Sequence, residues 1–141
     1  MKKYLAKLFI GVVIVVVLDI ALGSIMRHYY FSVDSGLFQR TTFAMEETTA
    51  DILIFGASRA NHHYNTKIIE DRTGTSVYNT GRNGNYIFYQ MGILKAVLER
   101  YTPKHIVLDF TGTFKFDQQD YDKISSLLPY YKTHPEIHAC A

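Results

Sequence analysis

A serine that leaves an all-apolar run through a glycine-alanine turn stands where a hydroxyl can react. In Ile52-Leu53-Ile54-Phe55-Gly56-Ala57-Ser58-Arg59 the apolar run reads as a buried strand, and the polar residues beyond it read as the start of a helix. The Ser58 hydroxyl then emerges at the helix N-terminus, where free N–H groups and the positive end of the dipole favour a developing oxyanion. The same position also suits an N-cap, in which the hydroxyl only closes a helix end. A serine needs a nearby base to become nucleophilic at neutral pH. His62 and His63 follow Ser58 by four and five residues, as a base one turn away or as part of a polar helix face. Arg59 and Arg82 flank the position on two loops, either to hold an anionic substrate or to stand solvated or paired with Asp109. His134 and His138 have the i, i+4 spacing of a metal pair. Pro135 fits between them only in a helix's first turn and no third ligand is evident, so neither a metal nor a cofactor is expected.

These residues need a scaffold, and the local periodicities describe one. Residues 52–55 form the first strand, and 61–73 a helix closed at Thr73-Gly74. Ser76-Val77-Tyr78-Asn79 is a second strand, and Gly81-Arg82-Asn83-Gly84-Asn85 a loop with strong turn chemistry. Asn85 is placed to cap a helix over 86–101, with Ile87, Met91, Leu94 and Leu98 as its apolar stripe; Thr102-Pro103 ends it. His105 to Phe110 is a third strand. Strands alternating with helices through short loops mean a parallel sheet with right-handed crossovers, an α/β fold. Ligands of such sheets sit beyond the carboxyl ends of the strands. Three loops lie there: Gly56 to Arg59, Thr80 to Asn85, and Thr111-Gly112-Thr113. Residues 117–128 read as a polar helix, and Leu127 to Ala141 shows no clear element. A three-stranded unit normally needs further strands and helices to cover it, so 51–141 is expected to be an incomplete domain with an open sheet edge.

Gly-Ala-Ser-Arg after a strand, then Tyr78-Asn79-Thr80-Gly81, then a strand ending in Asp109, resembles the start of an SGNH (GDSL-like) hydrolase, closest to its membrane-anchored cell-envelope branch. The resemblance covers about residues 50–115. It implies a flavodoxin-like three-layer α/β/α fold and ester hydrolysis or acyl transfer on cell-surface polysaccharides. It implies Ser58 as the nucleophile, whose own N–H serves the oxyanion, and Gly81 as a second oxyanion donor. Asn83 shares that loop and is placed to assist without matching a family position. Two blocks depart from the pattern. Thr111-Gly112-Thr113 lacks the asparagine of the third block, and no Asp-x-x-His, the base and its orienting acid, occurs in the chain.

The N-terminus decides where this chemistry would take place. From Leu8 to Met26, nineteen residues carry only Asp19 and Ser24 as polar groups, enough to span a hydrocarbon core of roughly 30 Å. Lys2, Lys3 and Lys7 precede the span, so the positive-inside tendency puts the N-terminus in the cytoplasm and everything after Arg27 outside. A signal peptide cut after Gly23 is the competing reading, and it also exports the rest. The organisation expected is a cytoplasmic tip and transmembrane anchor over 1–28, a juxtamembrane connector over 29–50 and the α/β domain over 51–141. The whole chain carries a net charge of +2, but beyond residue 30 eleven basic residues face twelve acidic ones, which disfavours a nucleic-acid partner. A lone cysteine, Cys140, excludes an intrachain disulfide and a cysteine zinc site. The glycines at 81 and 84 do not make a dinucleotide fingerprint, which requires Gly-x-Gly-x-x-Gly after the first strand. The partners expected are the lipid bilayer at residues 8–26 and an acylated cell-surface polysaccharide, at a bacterial inner membrane. The functions weighed are an SGNH-like esterase or acyltransferase scaffold that is inactive without its base, a non-catalytic α/β module binding a glycan or a protein, and a fragment with no function.

Overall fold

The computed structural model describes residues 2–110 and 118–140, so Thr111-Gly112-Thr113 lies outside the described residues. The chain divides into two compact units, Met1–Asp34 and Ser35–Ala141.

The first unit is one helix, α1 (Lys2–Phe31), about 45 Å long at 1.5 Å per residue. Its apolar side chains surround it on every side, and the mean hydropathy of its most apolar stretch is 2.8. A helix apolar all round needs an apolar environment all round. Length and composition make α1 a helix able to cross a membrane.

The second unit is built on a parallel three-stranded sheet of β1 (Ile52–Phe55), β2 (Val77–Asn79) and β3 (His105–Leu108), in the order β2-β1-β3. Ile52 pairs with Val77 on one side and His105 on the other, and Phe55 pairs with Leu108. The central strand is the buried one: Leu53, Ile54 and Phe55 are at most 2% exposed. Its unbroken apolar run is the expected signature of a strand covered on both faces. β3 is apolar after His105, yet Ile106 and Leu108 are nearly half exposed; among the described residues it pairs with β1 alone.

β1 leads into α3 (Ser58–His63) and, after a break at Tyr64-Asn65, α4 (Thr66–Thr73). Asn65 caps α4 by accepting from the Ile68 N–H at 3.2 Å, and Gly74 ends it in the left-handed conformation, φ +67°. The expected Gly stop is therefore present, while the expected single helix is split in two. Ile54, Ala60 and Val77 form a core under these helices with Ile52, Tyr64 and Ile69 against it.

β2 returns through α5 (Ile87–Arg100). The helical period is as expected, but its buried face is different. Tyr89, Ile93, Ala96 and Val97 are buried, whereas Met91 and Leu98 are 40% and 48% exposed. A small residue decides the face: a Cβ on Gly92 would collide with Leu127 Cδ1, so the chain at Leu127 seats directly on the helix there. Asn85 does not cap α5. Tyr86 holds the cap position, and the buried Asn85 side chain donates to Ser126 Oγ at 3.2 Å.

Residues 29–50, without a period in sequence, contain α2 (Gly36–Thr42), which runs on into a π-helical turn over Phe43–Glu47. Thr41, Ala44 and Met45 are buried. Arg100, the last residue of α5, donates to the carbonyls of Met45 (2.6 Å), Thr48 (3.0 Å) and Ala44 (3.4 Å), closing the carbonyl end of that turn. Beyond the sheet, α6 (Gln118–Ile124) falls where a polar helix was expected, followed by 3-10 segments at Ser125–Tyr130 and Pro135–Cys140. Leu127, Tyr130, Ile137 and Cys140 from these segments are buried, so this stretch belongs to the core.

Candidate functional site

The chain leaves β1 toward β2 on one side, and β2 returns across to β3 on the other, so the carboxyl end of β1 is where the strand order reverses. Such a switch point opens a crevice beyond the strands. Gly56 makes the turn possible there. Its φ is +155°, and a Cβ on it would stand 2.7 Å from the Ala60 Cβ and 2.9 Å from the Asp109 Cβ. Its carbonyl accepts from the buried Gln90 Nε2 at 2.8 Å, and the Thr80 hydroxyl donates to the Ile54 carbonyl at 2.9 Å, so two buried side chains fix the turn.

Ser58 is the first residue of α3, and Ala57 occupies the cap position with no side-chain cap bond. The serine is thus not an N-cap. It is exposed, its hydroxyl makes no hydrogen bond to any of the described residues, and its N–H is among those a helix start leaves without an intrahelical acceptor.

Arg59, one residue on, is turned across the switch point to Asp109 at the end of β3. Its Nε donates to both carboxylate oxygens, at 2.8 and 3.0 Å, and its Nη2 donates to Oδ1. Asp109 is buried, its side chain 1% exposed against 53% for Arg59. The hydrogen bond from Arg59 holds the Asp109 carboxyl below the usual carboxylate range against the opposing effect of burial, and His63 adds a smaller pull in the same direction. The same hydrogen bond raises Arg59. Of the two sequence readings for Arg59, the structure adopts the pair with Asp109.

The glycine of the second loop is engaged as well. Asn79, at the end of β2, donates to the carbonyls of Ala60 (2.7 Å) and Tyr64 (3.3 Å), and its Oδ1 accepts the Gly81 N–H at 2.9 Å. A Cβ on Gly81 would meet the Asn61 backbone N at 2.7 Å, so this loop lies directly on α3. The N–H that the family resemblance assigns to an oxyanion is therefore bonded to a side chain. Asn83 is held too: its Oδ1 accepts from Asn61 Nδ2 at 2.9 Å and its Nδ2 meets His62 Nε2 at 3.1 Å. Ser58, Asn61 and His62 stand at i, i+3 and i+4, on one face of α3. The fold so gathers Ser58, His62 and Asn83 around one helix face, with Arg59 and His63 at i and i+4 toward Asp109. Among the described residues no histidine or carboxylate hydrogen-bonds to Ser58.

Arg82 is not part of this group. Its Nη1 donates to Thr41 Oγ1 at 3.2 Å, and its guanidinium lies 5.5 Å from the centre of the Tyr89 ring. The two arginines that flank Ser58 in sequence thus point to different partners. Arg40 of α2, which nothing in the sequence singles out, joins the loop instead. It donates from Nη1 to Asn61 Oδ1 (2.8 Å) and from Nη2 to the carbonyls of Asn79 (3.2 Å) and Gly81 (3.3 Å). Of the remaining histidines, His105 opens β3 at the far end of the sheet. His134 lies between Glu136 (2.6 Å) and Glu46 (3.3 Å), while His138 stacks on Tyr131. The pair is not brought to one centre.

No protein-family model, no curated protein and no solved structure gives a significant match to this chain.

Proposed function

We propose that this chain is a membrane-anchored SGNH-like domain whose Ser58 serves ester hydrolysis or acyl transfer on acylated cell-envelope polysaccharides. The observation that carries the reading is an exposed serine hydroxyl, without a hydrogen bond to any described residue, at the first residue of a helix on the switch point of a β2-β1-β3 parallel sheet. Ser58 Oγ attacks the acyl carbonyl, and its own N–H holds the oxyanion at the start of α3. The Gly81 N–H joins it only if the Asn79 side chain swings away. In this reading a histidine outside this chain acts as the base, so the chain by itself turns over slowly.

A second reading, a non-catalytic module that binds a glycan or a protein partner, is favoured by the same loop. Gly81, Asn83 and Asp109 all have their polar groups satisfied within the domain. Release of acetate from p-nitrophenyl acetate and from an O-acetylated polysaccharide separates the two readings, with the full chain in dodecyl maltoside. Low turnover that Ser58→Ala reduces to the buffer rate is expected for the esterase. Equal rates in both proteins, or none above buffer, overturn it and leave the binding module.

The proposed anchor places Lys2, Lys3 and Lys7 in the cytoplasm and Ser35–Ala141 outside an inner membrane. Alkaline phosphatase fused after Ala141 is then active and β-galactosidase at the same point inactive; the opposite pattern inverts the orientation.

A further inference from the structure

Arg82 and Arg40 cross between α2 and the loop that follows β2. Arg40 reaches from α2 to the loop carbonyls, and Arg82 reaches from the loop back to Thr41 of α2. Both guanidiniums are half-buried and line one narrow cleft, floored by Tyr89, with room for little more than a water molecule. No aspartate or glutamate lines it, and among the described residues neither arginine has a carboxylate partner. The cleft therefore holds two like charges with no counter-charge of its own.

We propose that a phosphate-type oxyanion binds at the open edge of this cleft, on the donors that Arg82 leaves unspent, with Arg40 as the neighbouring positive charge. A donor inventory supports the assignment. A guanidinium carries five N–H donors; Arg40 places three of its bonds on Asn61, Asn79 and Gly81, and Arg82 places one on Thr41. The Thr41 hydroxyl donates to the Leu37 carbonyl at 3.0 Å and accepts from Tyr89 and Arg82, so it offers Arg82 nothing further. Most of the Arg82 donors thus face no acceptor among the described residues, on a group held in place by the Tyr89 ring. A tetrahedral oxyanion satisfies planar donors from two sides and neutralises the pair, which a carbohydrate hydroxyl cannot do. Arg40 is fixed beforehand by the loop it clamps. The proposal does not depend on the ester reading.

Two sources share this chemistry, a phospholipid headgroup and soluble phosphate. Inorganic phosphate is titrated into the full chain in dodecyl maltoside, which contains no phosphate, and then into the same chain in nanodiscs containing phosphatidylglycerol. Saturable binding with a raised Tm is expected in detergent. In nanodiscs, a Tm already raised, with no further response to phosphate, identifies the headgroup as the source; an undiminished response identifies soluble phosphate. Arg82→Gln, which leaves the Arg40 clamp in place, weakens phosphate at least tenfold, and Arg82→Lys weakens it less. Far-UV circular dichroism of both variants checks the fold, and the lysine variant keeps the test open if the glutamine variant does not fold. An absent phosphate response in detergent, or an equal one in wild type and both variants, overturns the site.

Discussion

Gly56→Ala is expected to cost the domain about 3–5 kcal/mol, from overpacking and from a backbone conformation closed to L side chains. The new methyl group would sit 2.7 Å from the Ala60 Cβ and 2.9 Å from the Asp109 Cβ. Neither atom is the end of a flexible chain. Ala60 is fully buried on α3, and the Asp109 backbone N–H donates to Phe55 at 2.8 Å, extending the β1–β3 ladder. Relief therefore requires α3 or β3 to move away from β1. Either motion also opens the Arg59–Asp109 pair, and the movement of α3 displaces Ser58 as well. A domain of this size is stable by only about 5–15 kcal/mol, so the loss is a large share of the total. Gly74→Ala is the control: its φ is also positive, +67°, but nothing lies within 4 Å, so only about 1–2 kcal/mol is expected. Unfolding of the full chain in detergent, followed by near-ultraviolet circular dichroism of its tyrosines, measures both. A Gly56→Ala midpoint no lower than that of Gly74→Ala would show that the close approach at β1 does not exist.

The order of strands and helices was legible because it rests on local signals: the apolar run 52–55, the Gly74 stop and the Pro103 break act within a few residues of themselves. The face of α5 was not. Ile87, Met91, Leu94 and Leu98 form the more aliphatic stripe, but burial follows the face of Gly92, whose small size lets Leu127 approach. That preference is visible only once residues 125–140 are known to return to the helix. Residues 36–47 were illegible for a similar reason, since their carbonyl end is closed by Arg100, more than fifty residues away. At the site, Ser58, Arg59 and Asp109 could be placed together because they follow adjacent parallel strands, where the register of Phe55 with Leu108 leaves little freedom. Arg82 could not be placed. The direction of its loop is set by Asn79 two residues earlier and by Arg40, which lies 41 residues from Gly81 and sends no signal through sequence spacing.

Arg59→Gln is expected to destabilise the domain at neutral pH and to do so less as the solution is acidified. In the wild type Arg59 holds the Asp109 carboxyl below its ordinary range, so the pair stabilises at every pH above about 4. That contribution falls away as the pH drops through the lowered value of the folded state. Without the guanidinium, burial acts almost alone on a side chain only 1% exposed, and it favours the protonated acid. The folded variant then takes up its proton at a higher pH than the unfolded chain. Acidification from pH 7 toward 4 relieves the buried charge and stabilises the variant relative to its own value at neutrality. The Tm gap between wild type and variant should be about 5 °C or more at pH 7 and should narrow steadily toward pH 4. Adding Asp109→Asn to Arg59→Gln removes the uncompensated charge and should recover part of the loss at pH 7, though not at pH 4. Arg59 has a second, purely geometric role, bridging the turn after β1 to the end of β3. Loss of that bridge alone would give a gap constant with pH and no recovery in the double variant. The pH dependence therefore distinguishes a charge held in place for stability from a strut that any residue of similar length could supply. It also tests whether Asp109 is available to orient a base: a carboxylate that must stay paired with Arg59 for the fold to hold is not free to serve a histidine, whichever chain supplies it.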